Sequence, residues 1–237
     1  MGDFPPVIIL TGGLGTRVSP LYPDLPKALI PINDEPFIAH QLRLLARESV
    51  SEVILCVGHL SDQLKAYVGS GQDFGVKVSY SYDGDSLLGT GGAVLKGARN
   101  VSGPFAVLYG DSYLDTTFLP IKRAFFEAKK TGLMTVYKND NQWDKSNILC
   151  KSGLVVDYNK SNPSSEMHFI DYGLSIFDHG AFKTLANNKT FDLSEVILHL
   201  ISNQQLAAYE VKERFYEIGS PSGLEALKMH LSSSSIK

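Results

Sequence analysis

Cysteine is scarce. Cys56 and Cys150 are the only two in 237 residues. Two thiols cannot build a cysteine-rich zinc site or a disulfide framework, so a reduced, cytoplasmic setting is expected. No uninterrupted apolar run approaches the roughly 20 residues that span a bilayer. The opening Met1-Gly2-Asp3-Phe4-Pro5-Pro6 has neither the basic region nor the apolar stretch of a signal peptide, and Pro6 stands where a myristoylation site wants Ser or Thr. An excess of either charge is also lacking: 22 Lys plus Arg face 25 Asp plus Glu, a formal net charge of -3. That balance argues against nucleic acid as a partner and leaves room for a local basic patch that holds phosphate. Fixed-period repeats and Pro/Gly/Ser-rich linkers are missing too. With 43% hydrophobic and 20% charged residues, the chain reads as an ordinary globular protein of one large domain or two small ones.

What is present is an alternation of short apolar runs with helical patterns. Val7–Leu10, Val53–Val57, Phe105–Tyr109 and Leu133–Tyr137 read as buried strands, and Val76, Val78 and Tyr80 alternate as a strand does. Helices are expected over 36–48 with Asp34 or Glu35 as cap, 61–68, 91–98, and 117–130 with Gly132 as left-handed C-cap. This rhythm predicts a parallel, doubly wound α/β sheet with helices on both faces. After Asn139 the rhythm changes. Ile148–Cys150, Leu154–Tyr158 and Tyr172–Phe177 follow as strands with short connections, so an antiparallel portion is expected. Asp192 to Glu195 resembles a capping box that opens a helix. Leu206–Val211 and Phe215–Ile218 read as a last strand pair before a helix over 222–231. The plan is a single domain over 1–231, with a nucleotide-binding half to about 138, a substrate half over 139–231, and a flexible tail over 232–237.

The chemistry concentrates in Leu10-Thr11-Gly12-Gly13-Leu14-Gly15-Thr16-Arg17, which continues to Pro26-Lys27-Ala28-Leu29-Ile30-Pro31. The run leaves the first strand at its C-terminal end, where open α/β sheets bind ligands. Glycine-rich backbone offers its N–H groups to a polyanion, Arg17 adds a planar fork for phosphate oxygens, and Lys27 a mobile point charge. Prolines 20, 23, 26 and 31 stiffen the loop. The Gly-Lys-Ser/Thr of a P-loop is absent. A dinucleotide fingerprint fails at Val18 and again at Cys56-Val57-Gly58, where an acidic residue would end the second strand.

The loop and the Pro-Lys-Ala-Leu-Ile-Pro run resemble the signature of sugar-1-phosphate nucleotidyltransferases, the nucleotide-sugar pyrophosphorylases. The resemblance extends through Leu88-Gly89-Thr90-Gly91-Gly92-Ala93, Tyr109-Gly110-Asp111, Lys160, Asp171-Tyr172-Gly173 and Glu217-Ile218-Gly219. In length the chain is most similar to the short heptose-1-phosphate guanylyltransferases and short uridylyltransferases of bacterial envelope and cell-wall recycling pathways. It implies a nucleotide-diphospho-sugar transferase fold, Rossmann-like and mixed but mostly parallel, and an enzyme that joins a nucleoside triphosphate to a sugar 1-phosphate and releases pyrophosphate.

By this resemblance Leu10, Gly12, Gly13, Gly15, Thr16 and Arg17, with Gly89 and Thr90, bind the nucleotide. Lys27, Asn147, Lys160, Asp171 and Gly173 bind the sugar phosphate. Asp111, with Arg17 and Lys27, carries catalysis and holds Mg²⁺, and Glu217 stands where the family has a second metal-binding Asp. Glutamate's extra methylene leaves direct and water-mediated contact both open. Asp171 replaces the family's usual Asn, Ser146-Asn147 its Tyr-Gly, and Thr11 a frequent Ala, so the base and the sugar stay open between GTP with a heptose or hexose and UDP- or dTDP-forming alternatives. A catalytically weak nucleotide-sugar sensor and a cytidylyltransferase for a non-sugar phosphate are the competing readings. Trp143 is read as packing before sugar stacking, the six histidines as structural or solvent-facing, and the molecule as a monomer or homodimer without nucleic-acid or membrane partners.

Overall fold

The computed structural model describes residues 3–12, 22–58, 61–84, 88–188 and 190–234. Among the described residues, thirteen strands and six α-helices follow in the order β1 (Val7–Leu10), β2 (Pro31–Ile32), β3 (Glu35–Pro36), α1 (Phe37–Arg47), β4 (Glu52–Val57), α2 (Ser61–Val68), β5 (Lys77–Tyr82), α3 (Gly89–Gly97), β6 (Phe105–Tyr109), β7 (Ser112–Tyr113), α4 (Phe118–Ala128), β8 (Gly132–Lys138), β9 (Ile148–Lys151), β10 (Leu154–Tyr158), β11 (Phe169–Phe177), α5 (Leu193–Ser202), β12 (Leu206–Val211), β13 (Tyr216–Glu217) and α6 (Pro221–Ser234).

Nine strands form one sheet in the order β5-β4-β1-β6-β11-β8-β12-β10-β9. The first four are parallel, with Val7–Leu10 in register with Val53–Cys56 on one side and Ala106–Tyr109 on the other. β1, β4 and β6 are buried on both faces, which is why their sequences are continuous apolar runs, whereas β5 at the edge alternates. Alternation sorts the core into two layers. Val7 and Ile9 pack with α1, α2, α4 and α6, while Ile8, Ile54 and Cys56 pack with α3 and α5. The expected mixed, mostly parallel sheet with helices on both faces is therefore present, and only β10 and β11 run against the other seven strands.

Several local expectations need correction. The residue before α1 is Pro36, which offers no side-chain cap, and Glu35 instead pairs with Arg43. Helix α3 begins at Gly89 and α6 runs from Pro221 to Ser234, wider than their apolar patterns. The left-handed residue that ends α4 is Lys129 (φ 51°), whereas Gly132 opens β8. β12 and the 215–218 segment are not partners: β12 lies beside β8 and β10, and β13 pairs with β7. Nor do the chain's two parts divide the sheet cleanly, since β11 inserts between β6 and β8. No helix among the described residues is long and apolar enough to cross a membrane.

Candidate active site

β1 and β6 are parallel neighbours, so the segments that leave their C-terminal ends emerge on the same edge of the sheet. The turn after β6 passes very close to the chain after β1. Gly110 N–H donates to the Leu10 carbonyl at 3.2 Å, and a Cβ at position 110 would collide with that carbonyl and with Thr11. Only glycine allows this approach, and it sets the Gly110-Asp111 turn against Leu10 and Thr11, where the chain leaves β1. On the far side Thr11 is fastened to β4, its N–H and Oγ1 both reaching the Cys56 carbonyl at 3.1 and 2.7 Å.

Lys27 meets Asp111 there. Its Nζ lies 2.7 Å from Asp111 Oδ2, although 84 positions separate them. Lys27 sits in a single turn over 27–29 whose Ala28 and Leu29 are buried, and these anchor an otherwise mobile side chain. Asp111 is pinned from the other direction by a residue that sequence reasoning missed. Gln41 of α1 is buried, and its Nε2 donates to the carbonyls of Tyr109 (3.2 Å) and Ser112 (2.8 Å), the two positions that bracket Gly110-Asp111. A glutamine within the apolar stripe of a helix gave no signal beyond its polarity.

Glu217 joins through the ladder of β7 and β13, in which it faces Ser112, while Ile218 N–H donates to the Asp111 carbonyl at 3.0 Å. Its carboxylate turns toward the start of α6, where it accepts from Gly219 N–H and Ser220 Oγ. The carboxylates of Asp111, in the turn before β7, and Glu217, on β13, are a donor pair that fits a hard divalent cation such as Mg²⁺, which binds through one or two carboxylates and completes its shell with phosphate and water oxygens. Among the described residues no group of three or more His, Cys, Asp or Glu forms a metal cage.

Asp111 and Glu217 line a cleft of about 880 Å³ together with Tyr109, Asn147, Lys160 and Asp171. Asp171 Oδ2 accepts from the Tyr109 hydroxyl at 2.9 Å and Oδ1 from Gly173 N–H at 2.9 Å. Burial pushes the Asp171 carboxyl above the usual carboxylate range, with Gly173 N–H, Lys160 and Tyr109 pulling against it. Burial also raises the Tyr109 phenol, and the Asp171 charge adds to the shift. For Lys160 desolvation acts downward, but Tyr158, Asp171 and Asp144 outweigh it and hold its pKa above that of an ordinary lysine. Asn147 is fixed by its backbone to Phe169 and Asn159, yet its Oδ1 is buried without a hydrogen-bond partner.

Other expected site residues are placed differently. Gly173 is outside the cleft lining and packs on Ser112. Gly89 (φ 72°) has no room for a Cβ against the Phe191 carbonyl, so the close approach it permits is to the protein's own backbone. Thr90 Oγ1 accepts from Leu193 N–H at 2.8 Å and lies 3.3 Å from Asp192 Oδ1, which ties the start of α3 to that of α5. Trp143 is not core packing, being 50% exposed at the cleft rim. Gly13, Gly15, Thr16 and Arg17 lie outside the described residues. Leu10 closes β1 and Gly12 passes beside Gly58.

Comparison with known proteins bears on this arrangement. The family model "Nucleotidyl transferase" matches residues 6–234. D-glycero-alpha-D-manno-heptose 1-phosphate guanylyltransferase of Campylobacter jejuni is 27% identical over 216 residues, covering 90% of this chain and 94% of that protein. Mannose-1-phosphate guanylyltransferase catalytic subunit beta of Xenopus tropicalis is 29% identical over 95% of this chain, which spans 64% of that longer protein. Among solved structures, HddC of Yersinia pseudotuberculosis complexed with GMP-PN superposes with a TM-score of 0.79 at 22% identity, over 96% of this chain and 100% of that one. The inositol-1-phosphate CTP transferase of T. maritima gives 0.79 at 18%, over 98% and 97%. These two show a shared fold. The resemblance read from the opening loop is met at the level of the whole chain, which belongs to the nucleotidyl transferase family.

Proposed function

We propose that the protein joins a nucleoside triphosphate to a sugar 1-phosphate and releases pyrophosphate, and that its substrates are GTP and a heptose or hexose 1-phosphate. The observation that carries this reading is the 2.7 Å Lys27–Asp111 pair, because it joins the lysine of the opening motif to a carboxylate that lines the cleft, at the strand edge where ligands of such sheets bind. The names of the Campylobacter jejuni protein and of the Aneurinibacillus thermoaerophilus heptose 1-phosphate guanylyltransferase, 27% identical over 81% of this chain, favour guanylyl transfer to a heptose. A UTP–glucose-1-phosphate uridylyltransferase of Synechocystis, 32% identical over 46% of this chain, keeps a UDP-forming reaction as the second reading.

The attacking atom is an oxygen of the sugar 1-phosphate and the target is the α-phosphorus of the triphosphate. A phosphate oxygen is already ionised near neutral pH, so no general base is required, and catalysis reduces to alignment and charge neutralisation. The backbone of the 12–16 loop cradles the triphosphate and Arg17 holds the departing pyrophosphate. Lys27 exchanges the Asp111 carboxylate for phosphate oxygens and offsets the repulsion between two anionic substrates. Lys160 takes the sugar phosphate, while Asn147 and Asp171 receive sugar hydroxyls. Mg²⁺, when bound by Asp111 and Glu217, supplies further neutralisation of the phosphate charge.

The test is a pyrophosphate-release assay with GTP, UTP, dTTP, CTP and ATP against glucose, mannose and heptose 1-phosphates in Mg²⁺. Release that needs both substrates is expected, strongest with GTP. Binding of nucleotide-sugar without release from any pair would favour a sensor.

A further inference from the structure

Arg214 is a cleft cation that the chemistry above does not use. It follows β12, is half-buried, and lines the cleft with Trp143 and Tyr216. Its guanidinium carbon lies 3.6 Å from the Trp143 ring centroid and 5.0 Å from that of Tyr216. Tyr216 is itself anchored, since it stacks on His230 of α6 with centroids 4.2 Å apart and planes at 18°. His230 Nε2 is 3.0 Å from Asp115 Oδ2, and Asp115 Oδ1 accepts from Arg47 at 2.6 Å. The guanidinium thus sits over two rings from separate segments, one of which is braced through α6 to α1.

Stacking fixes a guanidinium by its face and consumes none of the five N–H donors around its edge. Among the described residues Arg214 makes no hydrogen bond and no ion pair. Asp144, Asp171 and Glu217 share the cleft, yet none is within ion-pair reach of it. A cation of fixed orientation with its donors unspent has already lost the rotamer freedom that binding would otherwise cost, and its fork matches a bidentate oxyanion. A surface tether between the 139–147 turn and β13 would need only the rings. It would not need a planar donor array on the wall of a polar cleft.

We infer that Arg214 binds an oxyanion of the sugar substrate, either its 1-phosphate or a second anionic group carried on the sugar. This rests on the reading proposed above. Trp143 and Tyr216 are then positioning residues that hold the fork in place.

The experiment uses the sugar 1-phosphate selected by the pyrophosphate assay and its bisphosphate analogue, titrated calorimetrically into wild type, Arg214→Ala, Arg214→Lys and Trp143→Ala, with melting curves for each. Arg214→Ala should weaken sugar-phosphate binding by about tenfold to a hundredfold, the range for a hydrogen bond to a charged group. The KM for nucleotide should stay within about twofold of wild type. Arg214→Lys should not restore binding, because an ammonium lacks the fork. An equal loss for both ligands assigns Arg214 to the 1-phosphate, and a loss confined to the bisphosphate assigns it to the second group. Unchanged affinity in Arg214→Ala for both ligands, or a loss equal for sugar and nucleotide that tracks a lowered melting temperature, overturns the inference. In either case wild-type turnover would leave the proposed reaction standing, whereas wild type inactive on every pair would remove that reaction first.

Discussion

A carboxylate at the end of a strand is useful only where the backbone on either side of it is held, and Gln41 does this for Asp111 from inside α1. Replacing Gln41 with Leu keeps the volume and leaves the Tyr109 and Ser112 carbonyls without their donor. The expected cost is about 1–3 kcal/mol, the usual penalty for unsatisfied buried groups, with a fall in turnover beyond what the lost stability explains. Urea denaturation read beside pyrophosphate release checks both. Asp171 behaves in the opposite sense. Burial raises its pKa in the folded chain, so folding favours the protonated form, and the ionised carboxylate costs stability as pH rises through the folded pKa. An amide at this position can keep both contacts, its oxygen on Gly173 N–H and its NH₂ donating to the Tyr109 hydroxyl. Asp171→Asn should therefore melt above wild type near neutral pH, with the difference closing below the usual carboxylate pKa of about 3.9. A gap independent of pH in melting scans would show that desolvation of the charge is not its source.

At the scale of elements, β7 and β13 have two residues each, yet they place Asp111 and Glu217 on the lining of one cleft. Gly110 decides whether that ladder can sit where it does. Gly110→Ala must push the turn away from Leu10, at an expected cost of about 1–3 kcal/mol as for other overpacked sites. Its turnover should fall far more than its stability does, which kinetics and denaturation of the same preparation would reveal. The long elements were legible in sequence. The runs at Val7, Val53 and Phe105 are buried on both faces and carry no competing pattern, so strand and direction followed. Short elements were not, because two residues show no periodicity, and the partner of Phe215–Ile218 is the distant β7 and not the neighbouring β12. The stop of α4 was misplaced for a related reason. Gly132 is the conformationally cheap residue nearby, but the chain bears a left-handed Lys129 and uses the glycine to fit against Leu200 and Phe177.

Across the whole molecule, the placement of the site followed from fold class: parallel strands deliver the segments that follow them to one edge, where Thr11 after β1 and Gly110 after β6 meet. What sequence could not supply was which charges meet, since Lys27 and Asp111 come together over 84 positions, and Arg214 finds Trp143 across two segments of the sheet's far half. Two core layers on one nine-stranded sheet hold these distant pieces in register. The central claim is that this edge transfers a nucleotidyl group through the Lys27–Asp111 centre. The most direct measurement is the rate of sugar-1-phosphate-dependent pyrophosphate release from GTP in Mg²⁺ by wild type and by Asp111→Asn, both verified as folded. Wild type should release pyrophosphate only when the sugar phosphate is present, and Asp111→Asn should be slower by about two to three orders of magnitude, as when other groups that stabilise transition-state charge are removed. Equal rates in the two proteins, or release that ignores the sugar phosphate, would contradict the account.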